Sequence, residues 1–255
     1  MGYLAALVTA LLISPVAFVQ SHNTNGAFAE SNGTPGAQLT SWAVLGLRAA
    51  GATAPGSLAY LQSQESTLTA TTDIALVALA EEALGAHPTA LLARLQPKTL
   101  NATYWSVLAL GHSTPAMTKF ILRHQAKSGG FAWDVGVQPD SNDTAAALEA
   151  LRVAHVKGKP ITRAVTALLS YETKGGGFEL SHGRGADAQS TAWAIQGLVA
   201  AGRTPPRKAF TYLQSLRRPD GSYRYSARYV TTPVWVTSQV LAALARKPFP
   251  LVGGA

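Results

Sequence analysis

The sequence contains no cysteine. This excludes disulfides, thiolate nucleophiles and every cysteine-ligated metal site, including the common structural zinc modules. It says little about compartment, because a chain of 255 residues does not need disulfides to fold. Charge is also scarce. Charged residues make up 13% of the chain, about half the share in an average globular protein, whereas 47% of the residues are apolar. A substantial core follows. Only 13 acids are present, so paired-carboxylate glycoside chemistry ranks behind the readings below. The six histidines show no metal-ligand spacing, and neither a metal nor a cofactor is expected. The N-terminal apolar run, residues 3–13, is too short to cross a bilayer.

The charge that exists is unevenly placed. Residues 1–202 carry 12 basic and 12 acidic side chains, whereas residues 203–255 carry nine basic ones against Asp220 alone. The net charge of +8 therefore belongs to the last fifth of the chain. Such a patch attracts anions, an anionic membrane surface among them, or is simply a solvated face.

One pattern recurs six times: Thr, two residues, a small residue, a branched aliphatic, any residue, Ala or Gly, then Leu. It starts at Thr40, Thr72, Thr103, Thr144, Thr191 and Thr237. Positions three, four and seven apart share one helix face. The pattern therefore predicts six helices with a small-residue stripe that lets neighbours approach closely, and with Thr in the first turn or cap. Between them, Pro15, Pro55, Pro88, Pro115, Pro160 and Pro205 each open an amphipathic run, with Ser14, Thr114 and Thr204 as caps. The expected architecture is all-α: six pairs, each a half-exposed helix followed by a buried one. The last buried helix is as apolar as the middle ones, so the pairs are expected to close into a ring and not an open solenoid. Four pairs carry a glycine turn followed by an aromatic: Phe28, Phe131, Phe178 and Tyr223, which lie 12, 13, 13 and 14 residues before the next repeat Thr.

An outer helix, a Gln, a Gly turn, an aromatic and then an inner helix resembles the repeat of squalene-hopene cyclases and protein prenyltransferase β-subunits. The matches are Phe210 and Gln214 with Asp220-Gly221-Ser222-Tyr223, Ile121 and Gln125 with Gly129-Gly130-Phe131, and more loosely Val16 to Phe28 with Gln20. The resemblance covers residues 15–247 and implies an (α/α)6 toroid. It does not by itself fix an activity. The zinc site of the prenyltransferases requires a Cys that this chain lacks. Class II terpene cyclases place a proton donor in a DxDD motif ahead of Thr-Ala. Here the segment is Asp140-Ser141-Asn142-Asp143-Thr144-Ala145, with an amide where the family has its acid. Asp187 fills the same slot one repeat later, which suits a helix cap. Two readings stay open: Asp140 and Asp143 cap a helix, or they form a modified acid.

Trp42, Trp105 and Trp193 each stand two residues after a repeat Thr, and Trp235 stands two before one. They are expected at one end of the inner ring, either as the wall of a ligand cavity or as core. Asp73, Tyr104, His182, Gln239 and Arg184 are candidates near them. The leading expectation is a degenerate, non-catalytic toroid that binds an apolar or isoprenoid-like ligand or a protein partner. The alternative is a class II-type cyclase using Asp140 or Asp143. Residues 1–14 are read as a hydrophobic leader, either an export signal or an extra helix, which favours an exported or cell-surface location over the cytoplasm. Residues 248–255 are read as a flexible tail.

Overall fold

The computed structural model describes residues 13–251. The leader predicted over 1–14 lies outside them except for Ile13 and Ser14. Twelve helices follow in the described residues. The outer ones are α1 (Pro15–Gln20), α3 (Ser57–Gln64), α5 (Thr89–Leu92), α7 (Pro115–Arg123), α9 (Lys159–Leu169) and α11 (Arg207–Ser215). They alternate with the inner helices α2 (Ala37–Ala49), α4 (Thr71–Ala83), α6 (Leu100–Leu110), α8 (Ser141–Val153), α10 (Ala188–Ala200) and α12 (Pro233–Leu244). A small hairpin, β1 (Asn23–Thr24) with β2 (Ala27–Phe28), sits between the first two helices. Each inner helix packs on the inner helix before and after it, and α12 packs on α2. The six pairs are therefore a closed all-α toroid. No helix among the described residues is long and apolar enough to cross a membrane.

The small-residue stripe does what its spacing predicts. A methyl group on Gly46 would collide with the backbone of Ser238 where α2 meets α12, and one on Gly197 would stand 2.7 Å from Ala145 where α10 meets α8. Ring closure has a second fastening. The carboxylate of Glu30, in the loop before α2, accepts the Val234 and Trp235 N–H groups at 3.0 and 2.9 Å, capping α12 from 204 residues away.

The repeat Thr takes the first-turn place, one of the two its pattern predicts, and does not cap. It lies inside the first turns of its helix, and in the four pairs that have a glycine-aromatic loop its hydroxyl reaches that loop. The N–H groups of Phe28, Phe131, Phe178 and Tyr223 donate to Thr40, Thr144, Thr191 and Thr237 at 2.8–3.0 Å. The four rings are buried, at 0–1% exposure. The turn needs a left-handed residue, and Gly26, Gly129, Gly176 and Gly221 all have φ between 86° and 95°. Among the prolines, Pro15 and Pro115 begin helices capped by Ser14 and Thr114 as expected. Pro88 opens only one turn, and α11 starts at Arg207 after Pro206, so Thr204 caps nothing.

The flexible tail is corrected at its start. Phe249 is 1% exposed. Its N–H donates to Glu149 Oε1 at 3.1 Å, and its carbonyl accepts from Arg152 Nη2 at 2.7 Å. A large apolar ring held at both backbone atoms is part of the core. Residues 252–255 lie outside the described residues.

Candidate functional site

The tryptophans meet in the lumen. Trp42, Trp105 and Trp193 come from alternate inner helices, α2, α6 and α10. Their rings stand 5.6–5.8 Å apart pairwise, at interplanar angles of 81–87°. This is a three-membered edge-to-face pinwheel, the arrangement the ring quadrupole favours. Trp235 leans on Trp42 at 6.0 Å, and Phe249 closes the other side at 6.1 Å from Trp42 and 6.5 Å from Trp193. Trp42, Trp105 and Trp193 are 5–8% exposed. The faces that could stabilise a cation are covered by one another.

One helical turn toward the N-terminal mouth, an amide stands above each pinwheel ring: Gln38, Asn101 and Gln189. Two of them hold a carboxylate of the next helix. Gln38 donates to Asp73 at 2.6 Å, and Asn101 donates to Asp143 at 2.6 Å. Asp140 and Asp143 have different roles. Asp140 caps α8, accepting the Asp143 N–H at 2.8 Å, and Asp187 caps α10 in the same way, accepting from Ser190 at 2.7 Å. Asp143 points toward α6. Burial, then the neighbouring Asp140 charge, raises its pKa, while the Asn101 bond opposes the shift. Burial raises Asp140 too, against the hydrogen bonds that its cap accepts. Asn142, in the position of the family acid, is half-buried and accepts from Ser141.

Tyr104, His182 and Arg184 are placed apart from the pinwheel. Tyr104 is fully buried in the wall. Its hydroxyl donates to the Ala132 carbonyl at 3.1 Å, and its ring meets Phe131 edge-on. His182 is exposed on the loop before α10, stacked on Tyr171 at 4.4 Å and 3.5 Å from Glu179. Arg184 is exposed on that same loop. Gln239 occupies on α12 the slot two after Thr that the tryptophans fill elsewhere, and neither of its buried amide atoms has a hydrogen-bond partner among the described residues.

Sequence reasoning missed three features. Glu149 is wholly buried and accepts from Gln196 at 3.4 Å as well as from Phe249. Its signal was present: Glu149 and Gln196 are the polar occupants of the free position in the repeat. Glu30 gave no signal, because its partners are distant in the chain. The loops around the mouth expose Trp133, Val135, Val137, Tyr229 and Val230 at 40–59%. Among them, the Trp133 carbonyl anchors the start of α6 by accepting the Asn101 N–H at 2.8 Å.

No family model and no curated protein matches the chain. Solved structures do. A type II terpene cyclase from Scytonema superposes with a TM-score of 0.67 at 16% identity, over 91% of this chain and 95% of that one. Protein geranylgeranyltransferase-I from Candida albicans, complexed with GGPP, gives 0.62 at 12% identity over 82% and 83%. For ent-copalyl diphosphate synthase from Streptomyces platensis the values are 0.59 and 20%, over 82% of this chain and half the length of that one. The chain has the α/α-toroid fold of the terpenoid cyclases and protein prenyltransferases.

Proposed function

We propose that this toroid is a non-catalytic binding module that takes an apolar, isoprenoid-like ligand at its aromatic mouth. The observation that carries the reading is the Trp42–Trp105–Trp193 pinwheel, whose rings pack edge to face on one another between the inner helices. Asn142 in the acid slot supports it. So does the cap made by Asp140, whose carboxylate is engaged with the backbone. The apolar side chains exposed on the mouth loops supply contact surface for the ligand. Toroids of this fold have been solved with geranylgeranyl dihydroxybenzoate and with GGPP.

The experiment has two readouts. Incubation with squalene or geranylgeranyl diphosphate is expected to yield no cyclised product by gas chromatography–mass spectrometry. Equilibrium dialysis is expected to show geranylgeraniol bound, with about tenfold weaker binding on Trp133→Ser with Tyr229→Ser. A cyclised product, or binding indifferent to the double substitution, would overturn the reading.

A second reading rests on Asp143. Its pKa is raised, so at neutral pH it can hold a proton facing the mouth, as a modified class II acid would. The direction of the shift weighs against alkene protonation, because each unit of raised pKa removes about 1.4 kcal/mol of driving force for proton transfer. A product abolished by Asp143→Asn, with the fold intact by circular dichroism, would establish it.

A further inference from the structure

At the end of the ring opposite the mouth, where the inner helices finish, lies a pocket of about 460 Å³. Its polar lining is Arg48 from the last turn of α2, Arg152 from the last turn of α8, Arg246 and Lys247 just past α12, and Glu82 at the end of α4. These four cations come from three separate parts of the chain, and the fold alone brings them together. Among the described residues, none has a carboxylate within 4 Å, where only His182–Glu179 and Arg218–Asp220 form ion pairs. A second basic cavity adjoins, lined by Arg152 again with His155, Lys157 and Arg203.

The bland explanation is that these side chains cap helix ends, and it accounts for only part of their capacity. Arg48 gives one N–H to the Ala83 carbonyl at 2.9 Å, and Arg152 gives one to the Phe249 carbonyl at 2.7 Å. Each guanidinium has five N–H donors. The Arg152 Nε is buried with no hydrogen-bond partner among the described residues. Arg246 rests on the face of Phe210 at 4.8 Å, which fixes its direction without consuming its hydrogen bonds. The acids nearby do little to neutralise the pocket. Burial raises Glu82 to about 7 and Glu149, behind Arg152, to about 8. Several fork-shaped donors, none in ion-pair contact with Glu82 or another acid among the described residues, match the oxygens of a phosphate group.

We propose that this pocket binds a phosphate-bearing anion, with Arg48, Arg152, Arg246 and Lys247 as its ligating side chains. Leu84, Pro248, Pro250 and Leu251 complete the lining. They give the site an apolar wall beside the charged one, suited to a phosphate ester with a short apolar substituent. The site is independent of ligand binding at the mouth, because the two lie at opposite ends of the ring and share no residue.

The test is calorimetric titration of the full chain at low ionic strength with inorganic diphosphate. Binding is expected, weakened about tenfold by Arg246→Gln with Lys247→Gln, both exposed, with an unchanged melting temperature as the check that the fold is kept. Arg224→Gln with Arg228→Gln, which removes the same charge near the mouth, is expected to leave it unchanged. Monomeric dodecyl phosphate and vesicles of phosphatidylcholine with phosphatidic acid separate the sources. Tighter binding of dodecyl phosphate than of diphosphate assigns a soluble phosphate ester. Vesicle binding lost in the pocket variant and kept in the mouth variant assigns a lipid headgroup. No binding of any of the three probes, or equal weakening by both double variants, would overturn the proposal.

Discussion

Glu149 shows what a single buried carboxyl does to this protein. It lies with no exposed surface and accepts from Phe249 and Gln196. Burial raises it from 4.5 to about 8, although the Phe249 hydrogen bond and the Arg152 charge pull the other way. The folded chain therefore keeps a proton that the unfolded chain releases above its ordinary carboxyl range. The contribution to stability is full below about pH 4.5 and is lost as pH rises toward 8, at up to about 1.4 kcal/mol per pH unit. Glu149→Gln keeps the acceptor for Phe249 and removes the titration. Thermal melts are expected to show the variant gaining on the wild type between pH 5 and pH 8, while parallel curves would refute the assignment. Glu81 and Glu82, raised by burial to about 7, bend the wild-type profile in the same direction.

At the scale of elements, the inner ring is held by close contacts that large side chains would prevent. Gly197 on α10 faces Ala145 on α8, where an added methyl would lie 2.7 Å from its Cα and Cβ. The strain cannot be absorbed by a rotamer change, because the partners are a backbone carbon and a methyl. Gly197→Ala is expected to destabilise by about 1–3 kcal/mol, read as a lower urea midpoint with an unchanged slope. Two helices that simply slid apart at no cost would leave the midpoint where it was. The threonine struts act at the same scale. Each ties a glycine-aromatic loop to the helix that follows it and so sets where one pair ends and the next begins.

For the whole molecule, the decisive feature is that the ring has an occupied centre. Phe249 enters from the end opposite the mouth, lies against Trp42 and Trp193, and is fastened to α8 through Glu149 and Arg152. The C-terminal residues thereby complete a core whose other aromatics come from α2, α6, α10 and α12. Phe249→Ala is expected to cost about 3–5 kcal/mol, the range for removing a buried ring when its surroundings cannot collapse, measured by equilibrium unfolding. A loss under 1 kcal/mol would mean that the pinwheel relaxes into the vacancy. The surplus positive charge also belongs to this scale. Arg246 and Lys247 come from the basic last fifth of the chain, but Arg48 and Arg152 do not.

The sequence by itself left Asp140 open between a cap and an acid, and it determined the six pairs, the glycine-aromatic turns and the buried stripe. Each of these is a local periodicity or turn requirement, and such requirements act within a few residues of the chain. It also brought Trp42, Trp105 and Trp193 to one level of the ring, because equal offsets from a repeat Thr become equal heights on parallel helices, with Trp235 one turn nearer the mouth. The tertiary structure alone decided whether those rings would line a cavity or fill one. That outcome depends on the width of the closed ring and on Phe249, which stands 207 residues from Trp42. It alone placed Glu30 on α12, hydrogen-bonded Asp143 to Asn101, and gathered four cations around one pocket. These pairings join residues 42 to 207 positions apart across helix interfaces. No periodicity encodes them, and packing of the closed toroid selects them.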